Sequence, residues 1–132
     1  MTTDIIADML TRIRNANLVR HRIVQIINTK LTLSIAEILK EEGYIKDFEQ
    51  VTLSSRRYLL LSLKYYTQKR QPIINGVKRI SKPGLRIYVN RKNLPIVINN
   101  LGIAILSTSK GILTNTKAKN LGVGGEVLCY IW

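Results

Sequence analysis

The chain has 132 residues, enough for one compact domain or two small ones sharing an interface. Hydrophobic residues make up 45%, which excludes a disordered chain, and 21 Lys and Arg against 8 Asp and Glu leave a net charge of +13. The single cysteine, Cys129, excludes an internal disulfide and a cysteine-based zinc cluster, and no apolar run nears the roughly 20 residues of a membrane span.

The stretch TDIIADMLTRIRNAN predicts a helix, with Ile5, Ile6, Met9, Leu10, Ile13 and Ala16 on one arc and Thr3 or Asp4 as its N-cap. RIVQII (22–27) is rich in β-branched residues and predicts a strand. In NTKLTLSIAEILKEEG, the residues Leu31, Ile35, Ile38 and Leu39 form a helical stripe that Gly43 ends. YIKDFEQV and RYLLLSLKYY predict two strands, the second with Leu59, Leu61, Leu63 and Tyr65 on one face. TQKRQP (67–72) is polar and proline-terminated, and is expected to link two units.

Beyond it, IINGVKRIS, the turn KPG and LRIYV predict strands. A short helix is expected around NLPIVINN, a strand at IAILS, a short helix in TNTKAKNL, a turn at GVGG and a last strand at EVLCYIW. Asn75-Gly76 is a local hairpin signal. The expected architecture is α+β, with an N-terminal α-β-α-β-β domain over 1–68 and a mainly β domain over 69–132.

The acids are placed unevenly. Seven of them lie at or before Glu49, the eighth is Glu126, and fourteen Lys and Arg fall between Gln50 and Gly125 with no carboxylate among them. A solvated surface normally intersperses both signs, so unrelieved positive charge over this length favours a polyanionic partner, nucleic acid first. No Arg-rich amphipathic helix faces Trp or Phe, which weighs against a membrane surface. An acidic protein is the competing partner class. The start, MTTDIIADML, has neither a basic leader nor an Arg- and Ser-rich transit pattern, so the protein is expected to work where it is made.

Catalysis lacks its parts. His21 is the only histidine, and it stands between Arg20 and Arg22 with no carboxylate beside it in the sequence to orient it as a base. The C-terminal half has no carboxylate pair for acid–base chemistry or for Mg²⁺, and GVGG lacks the Lys-Ser/Thr of a phosphate-binding loop. Cys129, in the apolar string VLCYIW, reads as a structural thiol. No enzyme activity, cofactor, metal or small-molecule substrate is expected.

RNA binding has its parts. SKPGLRIYVNRK (81–92) interleaves Lys82, Arg86, Arg91 and Lys92 with Tyr88, a ring for stacking or for packing. STSKG (107–111) offers three hydroxyls, a lysine and a glycine straight after the apolar run GIAIL. It is either a plain polar turn or a surface for base edges and 2′-hydroxyls, with Gly111 allowing close backbone approach and Lys110 meeting a phosphate.

The strings STSKGILTNTKAKNLGVGGEVLCYIW, KPGLRIY and LGIAIL closely resemble the C-terminal half of the eighth protein of the bacterial-type small ribosomal subunit. DIIADMLTRIRNAN resembles that family's N-terminal helix. The resemblance implies two small domains, and primary binding to a helix in the central domain of small-subunit ribosomal RNA early in assembly. By motif match, Ser107, Thr108, Ser109, Lys110 and Gly111 enter an irregular internal site of the RNA, with Tyr88 and the turn Gly124-Gly125-Glu126 beside them. Asp4, Arg12, Arg14 and Asn15 face a second RNA surface, and neighbouring ribosomal proteins are expected as partners. The ending EVLCYIW resembles plastid members, so a chloroplast ribosome is expected, with the bacterial cytoplasm as the alternative.

Overall fold

The computed structural model describes residues 4–66, 71–97 and 101–132. They form two compact units, one of Ile5–Asn75 and one joining Asp4 to Gly76–Trp132.

In the first unit, helix α1 (Ile5–Leu18) buries Ile6, Met9, Leu10, Ile13 and Ala16 of the arc that the spacing picks out, and leaves Ile5 half-buried at its start. Strand β1 (Ile23–Ile27), helix α2 (Lys30–Glu41) and strands β2 (Ile45–Leu53) and β3 (Arg56–Leu63) follow. The strands make an antiparallel sheet in the order β1-β3-β2, with Val24 opposite Leu61 and Ile26 opposite Leu59. Period-two alternation puts Val24, Ile26, Leu59, Leu61 and Leu63 on one face, where α1 packs on β1 and α2 on β2. Each such side chain contributes about 1.5–3 kcal/mol on burial.

The buried stripe of α2 is Thr32, Ile35, Ala36 and Leu39; Leu31 and Ile38 of the expected stripe lie half out of the core. The rotation comes from Thr32, whose hydroxyl donates to the Ile27 carbonyl (2.8 Å) and forms a reciprocal capping box with Thr29. Once its hydroxyl is satisfied, a threonine can occupy a core position.

The second unit contains β4 (Val77–Arg79), β5 (Tyr88–Val89), β6 (Ile103–Thr108), β7 (Gly111–Thr114), helix α3 (Asn115–Leu121) and β8 (Gly125–Ile131). The sheet runs β4-β8-β6-β7, with β5 also pairing with β8. Val97, Ala104, Leu106 and Val127 form a core, packed by Ile80, Val89, Leu94, Tyr130 and Trp132. Helices and antiparallel sheets together make the α+β class expected from the sequence.

Four expectations are corrected. Asn75-Gly76 is not a hairpin turn: Gly76 exchanges both backbone bonds with Trp132 (3.0 and 3.1 Å), and the indole lies where a β-carbon would be. The strands in IINGVKRIS and LRIYV shrink to three and two residues, because 81–87 leaves the ladder as a strap closed by Lys82–Leu85 backbone bonds. The described part of the expected helix around NLPIVINN, residues 93–97, is not helical. Pro95 disfavours helical backbone at Leu94, and the Pro95 carbonyl accepts from the Asn115 amide (3.0 Å). Strand β7 was not expected, and it makes STSKG the end of a hairpin. Residues 67–70 of the expected linker lie outside the described residues.

Candidate nucleic-acid interface

The start of β8 is flanked on both sides. Tyr88 of β5 pairs with Glu126, which pairs with Ser107 of β6, which pairs with Ile112 of β7. Residues directly opposite in a sheet project from one face, so this row shares a surface on which Tyr88 is 67% exposed. The close flanking requires bare backbone. A β-carbon at Gly125 would overlap the Ser107 carbonyl, and one at Gly124 the Val89 carbonyl. Of the glycines in GVGG, Gly124 and Gly125 therefore serve strand approach, while Gly122 takes the left-handed cap of α3.

From this row β6 and β7 extend as a hairpin, Thr108 opposite Gly111, with Ser109 and Lys110 at the tip. Gly111 takes φ +105, a region hostile to side chains. The Thr108 hydroxyl donates to the Gly111 carbonyl (2.8 Å) and accepts from the Lys110 amide (3.1 Å), bracing the tip from within. Ser109, Lys110 and Gly111 are exposed, while Ser107 and Thr108 are half-buried.

Glu126 turns toward the protein. Its carboxylate accepts from Ser81 and pairs with Arg86 at 3.0 Å. Burial pushes its pKa up, but hydrogen bonds from Ser81 and Arg86 and the charges of Arg86 and Arg79 outweigh that and hold it below the ordinary value. Ser81 is fully buried; its hydroxyl also accepts from Ile87 N (3.1 Å) and its amide donates to Val127 O (3.0 Å). These bonds fasten both ends of the 81–87 strap to β8, leaving Lys82 on the exposed turn and the Arg86 side chain half exposed.

Arg91 and Lys92 are the central residues of a turn in which Asn90 Oδ1 accepts from the amides of Lys92 and Asn93 (3.0 Å each). With Leu94, Pro95, Thr116 and Lys119 they border a concavity of about 530 Å³. Thr116 and Lys119 were missed; their i, i+3 spacing in TNTKAKNL puts them on one helix face, a signal available in the sequence. Buried Asn115 ties this region together, accepting from Ala104 N (3.2 Å) as it donates to Pro95.

The structure thus gathers Ser107–Gly111, Tyr88, Arg86, Lys82 and Gly124–Glu126 around the start of β8. Arg12, Arg14 and Asn15 are exposed on α1, in the other unit, where Arg12 pairs with Asp8 at 3.0 Å. Asp4 pairs with Arg79 at 3.1 Å, and neither side chain is more than 18% exposed. Cys129 is fully buried, and burial, opposed in part by the charge of Arg79, pushes its thiol up to about 12. Among the described residues no group of His, Cys, Asp and Glu could hold a metal, and no helix is long and apolar enough to cross a membrane.

A braced polar hairpin stands in a unit with nine Lys and Arg in 76–132 and one carboxylate there, a charge pattern of the kind that polyanion-binding modules carry. Residues 4–132 match the family model described as ribosomal protein S8. The chain is 67% identical over 132 residues, the full length of both chains, to the small ribosomal subunit protein uS8c of Thalassiosira pseudonana. It is 55% identical over 132 residues, again the full length of both, to uS8c of Gracilaria tenuistipitata. It is also 59% identical over 129 residues (98% of this chain, 97% of the other) to the uS8 protein of the cyanobacterium Crocosphaera subtropica. The chain belongs to the ribosomal protein S8 family: it is a structural ribosomal protein of the chloroplast type, not an enzyme.

Proposed function

We propose that this protein binds ribosomal RNA directly in the small subunit of the plastid ribosome, through the β6–β7 hairpin and the basic surface round the start of β8. Its target is a helix in the central domain of that RNA, engaged early in assembly, with neighbouring ribosomal proteins docking on the complex. Lys82, Arg86, Lys110, Arg91 and Lys92 meet phosphates and supply affinity that is blind to sequence. Ser107, Ser109 and the bare backbone at Gly111 choose the site by its shape, and Tyr88 stacks or packs beside them. Arg12, Arg14 and Asn15 on α1 offer a second contact.

The observation that carries this reading is the exposed hydroxyl-and-glycine tip, standing clear of the core in a carboxylate-poor unit. The test is Ser109→Ala, assayed by filter binding on the cognate RNA helix and on a scrambled helix of equal length. The variant should lose about 1–2 kcal/mol on the cognate helix, the effect of one buried hydrogen-bond partner, and nothing on the scrambled one. Equal losses on both would reject the assignment.

A further inference from the structure

A second basic and aromatic surface lies wholly inside the unit Ile5–Asn75 and shares no residue with those assigned above. It is a cleft of about 690 Å³ at the ends of β1, β2 and β3. Four cations line it, Arg20, Arg22, Lys46 and Lys64, and no carboxylate does among the described residues. Between them sit Tyr65, Tyr66 and Ile23; Tyr66 is 59% and Ile23 56% exposed, an unusual display of flat apolar surface within a cationic rim.

The backbone is arranged to present this rim. Tyr65 donates its hydroxyl to the His21 carbonyl, which fixes the ring against the segment bearing Arg20 and Arg22. Arg20 itself has φ +56, and the bonds Arg20 N to Asn17 O (3.2 Å) and His21 N to Ala16 O (2.9 Å) close α1 in a pattern that normally takes glycine at that position. A local rule broken at a charged residue of a cleft points to a task for the side chain.

We propose that this cleft holds an unpaired stretch of RNA, with a base stacked on Tyr66 and the flanking phosphates on Arg20, Arg22, Lys46 and Lys64. The proposal rests on the RNA-binding reading above and adds a second, single-stranded contact to it. An acidic peptide would satisfy the cations but would leave the exposed ring and Ile23 uncovered; a nucleotide covers both.

The test uses the full chain and fluorescein-labelled hexa-adenylate, read by anisotropy across a salt series, with labelled hexaglutamate and the cognate RNA helix in parallel. Tyr66→Ala should weaken hexa-adenylate binding about tenfold at an unchanged melting temperature, and Tyr66→Trp should restore it. Lys46→Gln should reduce the salt slope by about 0.7. Arg20→Gly, which keeps a residue suited to the left-handed backbone, should weaken hexa-adenylate binding. Unchanged hexa-adenylate affinity in Tyr66→Ala, or hexaglutamate binding as tight at equal salt, would overturn the proposal. Ser109→Ala keeps the two readings apart: it should weaken the cognate helix alone, and its failure to do so would sink the hairpin assignment while the Tyr66 result stood.

Discussion

Glu126 is the only carboxylate in residues 50–132, and its partners make it a strut. Its pKa lies below the ordinary value of 4.5, so the folded protein takes up that proton less readily than the unfolded chain. The stability it contributes is therefore present above pH 4.5 and lost as pH falls through the lower, folded value. Urea unfolding should show the wild type losing more stability between about pH 5 and pH 3 than Glu126→Gln, which should itself be about 1–2 kcal/mol less stable at pH 7. Parallel pH profiles would show that the Ser81 and Arg86 contacts contribute nothing. Counting charges picks out Glu126 in the sequence. Its partners stand 45 and 40 positions away, and only the fold brings them together.

At the scale of the element, local turn chemistry and global packing disagree twice. Asn75-Gly76 carries a hairpin signal and forms no hairpin. Ser54-Ser55 carries none and is the two-residue turn between β2 and β3, with φ +49 and +66. The register is set by burial of Leu59, Leu61 and Leu63, and a one-residue slip would turn all three outward. The turn accepts a backbone that serine dislikes because the strands demand it. Replacing the pair by Asn-Gly should stabilise the fold by about 1 kcal/mol, seen as a higher urea midpoint at constant m-value. A lower midpoint would mean that the serines do something beyond turning the chain. Helix α1 was legible because its apolar spacing is regular; β7, four residues long, was not, being too short for a period to register.

For the whole molecule the sequence is most legible in its charge. The cations past Gln50 were visible by inspection, and with them the class of partner. Which of them touch phosphate is a matter of counting ions: Arg86→Gln or Lys92→Gln should weaken binding to every RNA alike and flatten the salt dependence by about 0.7–0.9 for each phosphate left without its cation. An unchanged slope would take that side chain off the interface. The hairpin tip adds something that charge cannot. On the RNA-binding reading proposed above, the bonds by which Thr108 ties its own strand end to Lys110 and Gly111 make the tip a finished template that needs no ordering step of its own. Whatever rearrangement the encounter demands falls on the nucleic acid, so the rate of capture should follow how often the RNA opens its irregular site.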